Sequence, residues 1–329
     1  MSTIYDVARL AGVSKTTVSK ILNGNQNVRP ATLKKVNDAI RELEYVPSSF
    51  AQNLRKNSTH TIAVLLPEQY NYGYMEFLAG IEACAQQHGY LTFVCSTGRE
   101  GQREEKYLRE MLRRRVEAII YFTYRRREKT LEQLARVAKN TAVVVMDPIL
   151  QDERLDSVCV DGAAGVRSAV CALAQKGCRR IACICAKTGD ATAERYAGYL
   201  QGLSVSGLEL HKNLVAEAEF TMDGGARAMQ RLWAEKPDAV VAVTDMLALG
   251  ALDWCATHGV SVPKEVSIVG FDGIPLCEWS GPRLSTVVQR RRTVGETAVR
   301  RLLARIADPK LPVEHILLPC ELVLRDTTR

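Results

Sequence analysis

Aromatic residues make up only 6% of this 329-residue chain, and none of its ten cysteines has a partner at Cys-x-x-Cys spacing. That cysteine density is far below a disulfide scaffold, and the five histidines are scattered, which excludes a recognisable structural zinc site. No run approaches the ~18 uninterrupted apolar residues of a membrane span, and no basic segment followed by an apolar one opens the chain as a secretory signal would. Gly-x-Gly, Gly-Lys-Ser/Thr, Gly-x-Ser-x-Gly and His-Glu-x-x-His are all missing. Dinucleotide, P-loop, hydrolase and zinc-protease signatures are therefore absent. These absences set the expectation of a soluble, reduced, cytoplasmic protein that is not an enzyme, holds no metal or cofactor and touches no membrane.

What is present is a globular composition, 47% apolar and 25% charged, at a length that fits roughly two domains and an appendage. The charge is uneven. Residues 1–58 carry nine Lys and Arg against four acids, whereas the remaining 271 residues hold 35 bases and 33 acids. A small basic head on a near-neutral body fits a polyanion-binding module. Charge alone does not separate that reading from a solvated basic surface.

The head reads as three short helices. Thr3-Ile4-Tyr5-Asp6 has the form of a capping box, and Ile4, Val7, Ala8 and Ala11 recur at helical spacing. Gly12 can turn the chain at no steric cost. Ser14 can cap a second helix, Lys15 to Leu22, and Pro30 suits the first position of a third that runs to about Leu43. Leu33, Val36, Ile40 and Leu43 form the third helix's apolar stripe. Helix, glycine turn, helix is a helix-turn-helix layout, with Ala8 allowing close approach and Val18 packing the second helix back on the first. The early part of that second helix, Lys15 and Thr16, is where base-reading side chains sit, with Ser14 and Lys20 better placed for phosphates.

Three segments, Thr3-Ile4-Tyr5-Asp6-Val7-Ala8, Ala11-Gly12-Val13-Ser14 and Thr17-Val18-Ser19-Lys20-Ile21-Leu22-Asn23-Gly24, resemble the headpiece of the lactose-repressor (LacI-type) transcription regulators. The likeness continues through Val28, Thr32, Val36, Ala39-Ile40, Leu43, Tyr45 and Pro47, with Lys20 in place of the usual Arg and Arg29 in place of a common capping Ser. It implies a headpiece over 1–46 that contacts DNA through Thr3, Tyr5, Ser14, Lys15, Thr16, Ser19, Lys20 and Asn23. Residues 47–58 then correspond to a hinge helix that pairs with its dimer mate in the minor groove, with Leu54 as the intercalating leucine and Arg55 beside it. A helix this short is not stable alone in water. The alternative is a flexible tether with an incidental leucine.

From residue 59 the pattern becomes alternating strand and helix. Strands are expected at Thr61–Leu66, Leu91–Cys95, Ala118–Phe122, Ala142–Met146, Ser157–Val160, Arg180–Ile184, Ala239–Val243 and Val266–Phe271, with helices such as Phe77–His88, Glu104–Arg114, Gly162–Lys176, Ala191–Ser206, Gly224–Ala234 and Leu247–His258 between them. This predicts parallel sheets covered by helices, too many strands for one sheet, and so two α/β lobes. The runs Arg113–Arg115 and Arg125–Arg127 read as solvated helix C-terminal ends, while the role of Arg290-Arg291-Arg292 stays open. Gly80-Ile81-Glu82, Asp245 to Gly250, Val269-Gly270-Phe271-Asp272, Leu284 to Gln289 and Gly295-Glu296-Thr297-Ala298 resemble landmarks of the family's periplasmic-binding-protein-like effector domain. The resemblance implies an N-lobe at about 59–160 and 291–318, a C-lobe at about 161–290 and 319–329, and crossovers near 160, 290 and 318.

In open α/β sheets ligands bind at strand ends and helix starts. Asp147, Arg195 and Asp272 share that position type, and carboxylates that accept with a guanidinium that donates suit adjacent hydroxyls. Tyr74, Phe220 and Gln289 complete the expected pocket, with aromatic faces for the apolar side of a sugar. Thr244 stands where the resemblance leads one to expect Asn. The alternative for Arg195 and Asp272 is an interlobe salt bridge with no ligand. The whole reads as a DNA-binding regulator, a repressor in the main reading, controlled by a small-molecule effector, a sugar above all. It would act as a homodimer on a near-palindromic operator in double-stranded DNA, since no heptad tail follows the last strand. The competing reading is a solute-binding or sugar-metabolising protein with a basic helical head.

Overall fold

In the computed structural model the described residues are 2–22, 28–45, 58–67, 72–98, 101–123, 127–147, 152–186 and 193–329, and the chain divides into two units, 1–59 and 60–329. In the first unit, helix α1 (Ile4–Ala11) starts at a complete capping box: the Thr3 side chain accepts from the Asp6 amide, and the Asp6 carboxylate accepts from the Thr3 amide at 3.0 Å. It ends at Gly12, whose φ of 66° places it in the left-handed region. Helix α2 (Lys15–Leu22) follows Ser14, whose hydroxyl accepts from the Thr17 amide at 3.2 Å. Helix α3 (Pro30–Glu42) carries proline in its first turn, and Arg29 supplies no side-chain cap. Val7, Ala8, Ala11, Val18, Val36 and Ala39 form the buried core. Leu33, expected on the same stripe, is 40% exposed, because the inward face of α3 begins a turn later at Val36.

The second unit contains two six-stranded sheets. Its elements in chain order are β1 (Thr61–Leu66), α4 (Tyr72–Gln87), β2 (Leu91–Ser96), α5 (Gly101–Arg113), β3 (Ala118–Tyr121), α6 (Glu128–Val137), β4 (Ala142–Val145) and β5 (Asp156–Val160). Then come α7 (Gly162–Gln175), β6 (Ile181–Ala186), α8 (Ala193–Val205), β7 (Val215–Ala218), α9 (Met222–Trp233), β8 (Ala239–Ala242), α10 (Asp245–Thr257) and β9 (Ser267–Asp272). The last elements are α11 (Leu276–Trp279), β10 (Ser285–Val288), α12 (Arg291–Ala307), β11 (His315–Leu318) and β12 (Glu321–Val323). One sheet has the order β11-β5-β4-β3-β1-β2, with every pairing parallel. The other runs β12-β10-β9-β8-β6-β7 and is parallel except where β12 pairs antiparallel with β10. Central strands such as Ile62–Leu66 and Ala239–Ala242 are buried along their length, as strands covered on both faces must be.

The chain leaves the first sheet after β5, returns to it through α12 after β10, and leaves it again between β11 and β12. Three crossovers thus join the two lobes near residues 161, 290 and 319. Apolar cores lie on both faces of the first sheet, one built with α4 and α12, the other with α5 and α6. The second sheet is enclosed in one large core drawn from α7 to α11. All ten cysteines are free thiols, buried or half-buried. Arg113 does lie in the last turn of α5, with Arg114 donating to Glu110 at 3.1 Å. Arg127 corrects the expectation for the second run. It occupies the N-cap position of α6, without a side-chain cap bond, rather than closing a C-terminus, because the segment from Glu128 to Val137 is itself a helix; Arg125 and Arg126 lie outside the described residues.

Glycines set the closest helix contacts. A Cβ on Gly80 of α4 would overlap the Arg292 carbonyl oxygen of α12, and one on Gly295 of α12 would overlap the Phe77 carbonyl oxygen. Gly225 of α9 and Gly250 of α10 are related in the same way to Leu247 and Met222. Replacing Gly250 by Ala gains helix propensity, about 1 kcal/mol in an exposed helix, but forces two backbones apart. Overpacking of this kind costs about 1–3 kcal/mol. The Gly250→Ala chain is expected to melt several degrees lower; an unchanged or higher thermal midpoint would show that the crossing yields freely.

Candidate DNA interface and interlobe site

On the head, the residues expected to meet DNA divide into committed and free groups. Lys15 is exposed at the start of α2; its Nζ donates to the Tyr5 hydroxyl at 2.9 Å and lies 4.5 Å from the Tyr5 ring centroid. Tyr5 is itself 63% exposed, and the bond from Lys15 lowers its hydroxyl pKa. An ammonium has three donors, so Lys15 keeps two for another partner. Thr16 and Lys20 are exposed on the same helix, while Val18 faces the core. Thr3 and Ser14 spend their hydroxyls locally, Thr3 on Asp6 and Ser14 on Thr17. Ser19 is half-buried. Asn23, Leu54 and Arg55 lie outside the described residues, as does the rest of the hinge segment up to residue 57.

In the two-lobed unit, sequence reasoning brought together residues that do meet. Asp272 closes β9 with a φ of 133°, a backbone conformation that costs an L-residue about 1–3 kcal/mol and is held only by its surroundings. Those surroundings are visible. The Gly273 amide donates to Thr286 Oγ1 at 3.3 Å, and the Ile274 amide donates to the buried Asp245 carboxylate at 2.9 Å. Thr286 donates in turn to Asp245 at 2.5 Å. Burial, and then the charge of Asp272, raise the Asp245 pKa to about 6. The strained carboxylate then accepts at Oδ1 from Gln289 Nε2 at 2.7 Å and Arg195 Nη1 at 3.5 Å, and is ion-paired with Arg291 Nη2 at 2.8 Å.

Arg195, in the first turn of α8, also donates to the Val243 carbonyl at 2.7 Å and stacks on the Phe271 ring at 3.9 Å. Asp147, just beyond β4, accepts from the Thr123 amide at 2.9 Å. Burial raises its carboxyl pKa to about 7 against the opposing pull of that amide and of the Arg195 charge. Glu194 is likewise pushed up to about 7 by burial, with Arg195 again opposing. Arg195, Asp272 and Gln289 are therefore in direct contact, and Asp147 faces Arg195 electrostatically from the other lobe. Thr244 is adjacent, but its hydroxyl caps α10 by accepting from the Leu247 amide at 3.3 Å. Tyr74 is buried edge-on against Phe122 in the first lobe. Phe220 packs half-buried on the core of the second, so these two aromatics are anchored in different lobes.

Two corrections follow. Arg195 and Asp272 belong to the same lobe, on α8 and at the end of β9, so their pair is not interlobe. The pair that spans the lobes is Arg291–Asp272, and Arg291 is 2% exposed. Sequence reasoning missed Arg291. The only signal was its place in an arginine run two residues after Gln289, where a solvated face is the ordinary expectation.

A helix-turn-helix head followed by a two-lobed parallel α/β unit with a polar interlobe site defines a DNA-binding regulator with a ligand-binding body. Residues 3–48 match the bacterial regulatory proteins, lacI family, and residues 170–328 match the periplasmic binding protein-like domain. The chain is 33% identical over 332 residues to the HTH-type transcriptional repressor PurR of Vibrio atlanticus (strain LGP32), covering 100% of this chain and 99% of that protein. It is 34% identical over 313 residues to PurR of Aliivibrio salmonicida, covering 94% and 93%. A lac repressor dimer bound to operator and the anti-inducer ONPF superimposes with a TM-score of 0.90 at 27% identity, over 99% of both chains. A complex of the transcriptional regulator CelR with cellobiose gives 0.76 at 29% identity, over 99% of this chain and 100% of that one. The chain belongs to the LacI family. It is a DNA-binding transcriptional repressor and not an enzyme.

The Asp147 environment carries a pH signature. A carboxyl that titrates near 4 when unfolded and at about 7 when folded binds more protons in the native state between those limits, so stability falls as pH rises through that window. Asp147→Asn keeps an acceptor for the Thr123 amide and removes the titration. Thermal midpoints across pH 4.5–7.5 should show the variant gaining steadily on the parent chain toward neutrality. A constant difference between the two would place the Asp147 carboxyl in ordinary solvent.

Proposed function

We propose that the interlobe site takes a polyhydroxylated effector, a sugar, and that its occupation controls operator binding by the head. The observation that supports this most directly is the strained Asp272, whose carboxylate gathers Arg195 and Gln289 from one lobe and the crossover and Arg291 from the other. A ligand hydroxyl entering there meets acceptors and donors at once. Asp147 adds a second carboxyl from the opposite side, and Tyr74 and Phe220 are the candidate aromatic walls. Solved relatives holding cellobiose and, for the LacI family regulator of Enterococcus faecium, ribose agree with the ligand class. A thermal-shift screen of sugars, nucleosides and phosphorylated metabolites identifies the ligand, and calorimetry then tests the residues. Arg195→Ala and Asp272→Ala should each abolish the binding heat while operator binding by the ligand-free protein remains measurable. Normal binding by both variants would put the effector elsewhere, and a nucleoside as the sole stabiliser would replace the sugar.

On the head, Lys15 and Thr16 read base edges in the major groove, with Tyr5, Ser14, Ser19 and Lys20 contacting the phosphate backbone. The protein binds as a homodimer on a near-palindromic site, a reading supported by the solved lac repressor, which is a dimer bound to operator. Support comes from the exposure of Lys15 with two spare donors and from the exposed position of Thr16 and Lys20. A lost base contact costs about 1–3 kcal/mol at the preferred site, whereas a lost phosphate contact weakens all sequences alike. Selected operator fragments and random DNA should therefore respond differently to Lys15→Ala, the operator losing far more, with two chains per operator by sedimentation. Equal losses on both DNAs would end the base-reading assignment.

A further inference from the structure

The three consecutive arginines at 290–292 open helix α12, whose first turn holds no acidic residue and whose N-terminus has no side-chain cap. This is an adverse place for cations. The aligned peptide dipoles already put partial positive charge at a helix N-terminus, and anions are what such a position favours. Arg290 and Arg292 relieve the conflict outside, on Glu321 at 2.6 Å and Glu296 at 3.7 Å. Arg291 does not. It turns inward, is 2% exposed, shares Asp272 Oδ1 with Arg195, and lies with its guanidinium carbon 5.8 Å from the Phe77 ring centroid.

Both buried guanidiniums are left with an unspent donor. Arg291 Nη1 and Arg195 Nε are enclosed and have no hydrogen-bond partner among the described residues. A buried donor without an acceptor costs about 1–3 kcal/mol, more when charged. One carboxylate oxygen serves two cations. Asp245, the next carboxylate, is occupied by Thr286 and the Ile274 amide beneath the site. Asp147 and Glu194, pushed up to about 7 by burial, provide only part of a charge each near neutrality. Beyond Asp272, the described residues supply no anionic acceptor for Arg291 Nη1 and Arg195 Nε.

We propose that the effector carries an acidic group, a carboxylate or a phosphate, and that Arg291 together with Arg195 binds it. Arg291 is then the residue that selects an acidic ligand over its neutral counterpart. This rests on the interlobe site being the effector site, and it narrows the ligand from sugars in general to acidic sugars. A charge-assisted bond from each guanidinium satisfies the two free donors, and because Arg291 stands on α12 of one lobe and Arg195 on α8 of the other, the anion ties the lobes together.

The test uses the full chain and matched probes. Glucose, galactose and trehalose are each compared with a carboxylate form (gluconate, galacturonate) or a 6-phosphate form by thermal shift, and any binder is followed by calorimetry. An acidic member is expected to bind at least tenfold tighter than its neutral partner, with carboxylate and phosphate arms showing which acid is read. Arg291→Met should remove that preference, and Arg291→Lys, which keeps the charge and the chain length, should restore part of it. Neutral members binding as tightly as acidic ones, with Arg195→Ala abolishing that binding, would overturn the acidic reading and leave the sugar reading standing. Acid preference unchanged in Arg291→Met would also overturn it. No shift with any probe would overturn both readings.

Discussion

One carboxylate oxygen holds the two lobes in register. Asp272 Oδ1 receives Gln289 from the crossover, Arg291 from one lobe and Arg195 from the other, and the peptide that presents it is strained. Buried ion pairs are poor stabilisers: desolvating both charges consumes most of what their attraction returns, and well-packed apolar residues often do better. Two arginines, a strained aspartate and two buried unpaired donors at one point are therefore not explained by stability. They fit the proposed effector site, where a ligand competing for the same groups would act directly on the contact between the lobes. A ligand shifts such an equilibrium only by its difference in affinity for the two arrangements, and contacts to Arg291 exist only when α12 and β9 are together.

The rest of the body is arranged to make that point dependable. Asp245 and Thr286 fix the Gly273–Ile274 turn that carries Asp272, and Arg195 is steadied by the Val243 carbonyl and the Phe271 ring. Beneath α12, the buried Asp156 accepts from Arg301 and Arg305, and the Glu314 amide donates to it, which ties α12 to β5 and to the start of β11. Gly80 against the Arg292 carbonyl and Gly295 against the Phe77 carbonyl bring α4 and α12 backbone to backbone. The start of α12, and with it the backbone of Arg291, is thus placed by the packing of the helix on α4 and by its ties to β5 and β11.

How far this was legible in the sequence depended on whether the signal was local. The capping box at Thr3–Asp6, the left-handed Gly12 and Pro30 each act within one turn, and the head helices lie where those residues put them. Strands buried on both faces read as unbroken apolar runs, so β1, β3, β4, β8 and β9 were visible. β7, β10, β11 and β12 were not: Val-Ala-Glu-Ala, His-Ile-Leu-Leu and Glu-Leu-Val are short and lie at sheet edges, partly facing solvent, and Ser-Thr-Val-Val of β10 is short and half polar. Arg127 was misplaced because a charged run is compatible with either helix end. The Arg195–Asp272 pair could be anticipated from position type, and the expected C-lobe bounds of 161–290 already contained both residues, against the alternative of an interlobe bridge. Arg291 was illegible for the opposite reason to the strands. Nothing in a run of three arginines says which one turns inward; that is decided by the helical phase of α12 against α4.

The landmarks that carry the family resemblance therefore divide into two kinds. Gly80, Gly250 and Gly295 are packing devices: a Cβ at any of them collides with a neighbouring backbone, so they report the fold and are silent about the ligand. Thr244 looks like a ligand group by position, yet its hydroxyl is committed to the Leu247 amide and its neighbour's carbonyl to Arg195, so it shapes the start of α10 more than it reads an effector. On the proposed reading, discrimination falls to Asp147, Arg195 and Arg291, with Tyr74 and Phe220 as apolar walls. Among these only the two arginines combine full charge at every physiological pH with a buried, unmet donor. On the proposed reading, ligand choice accordingly turns on an oxygen that can accept from both.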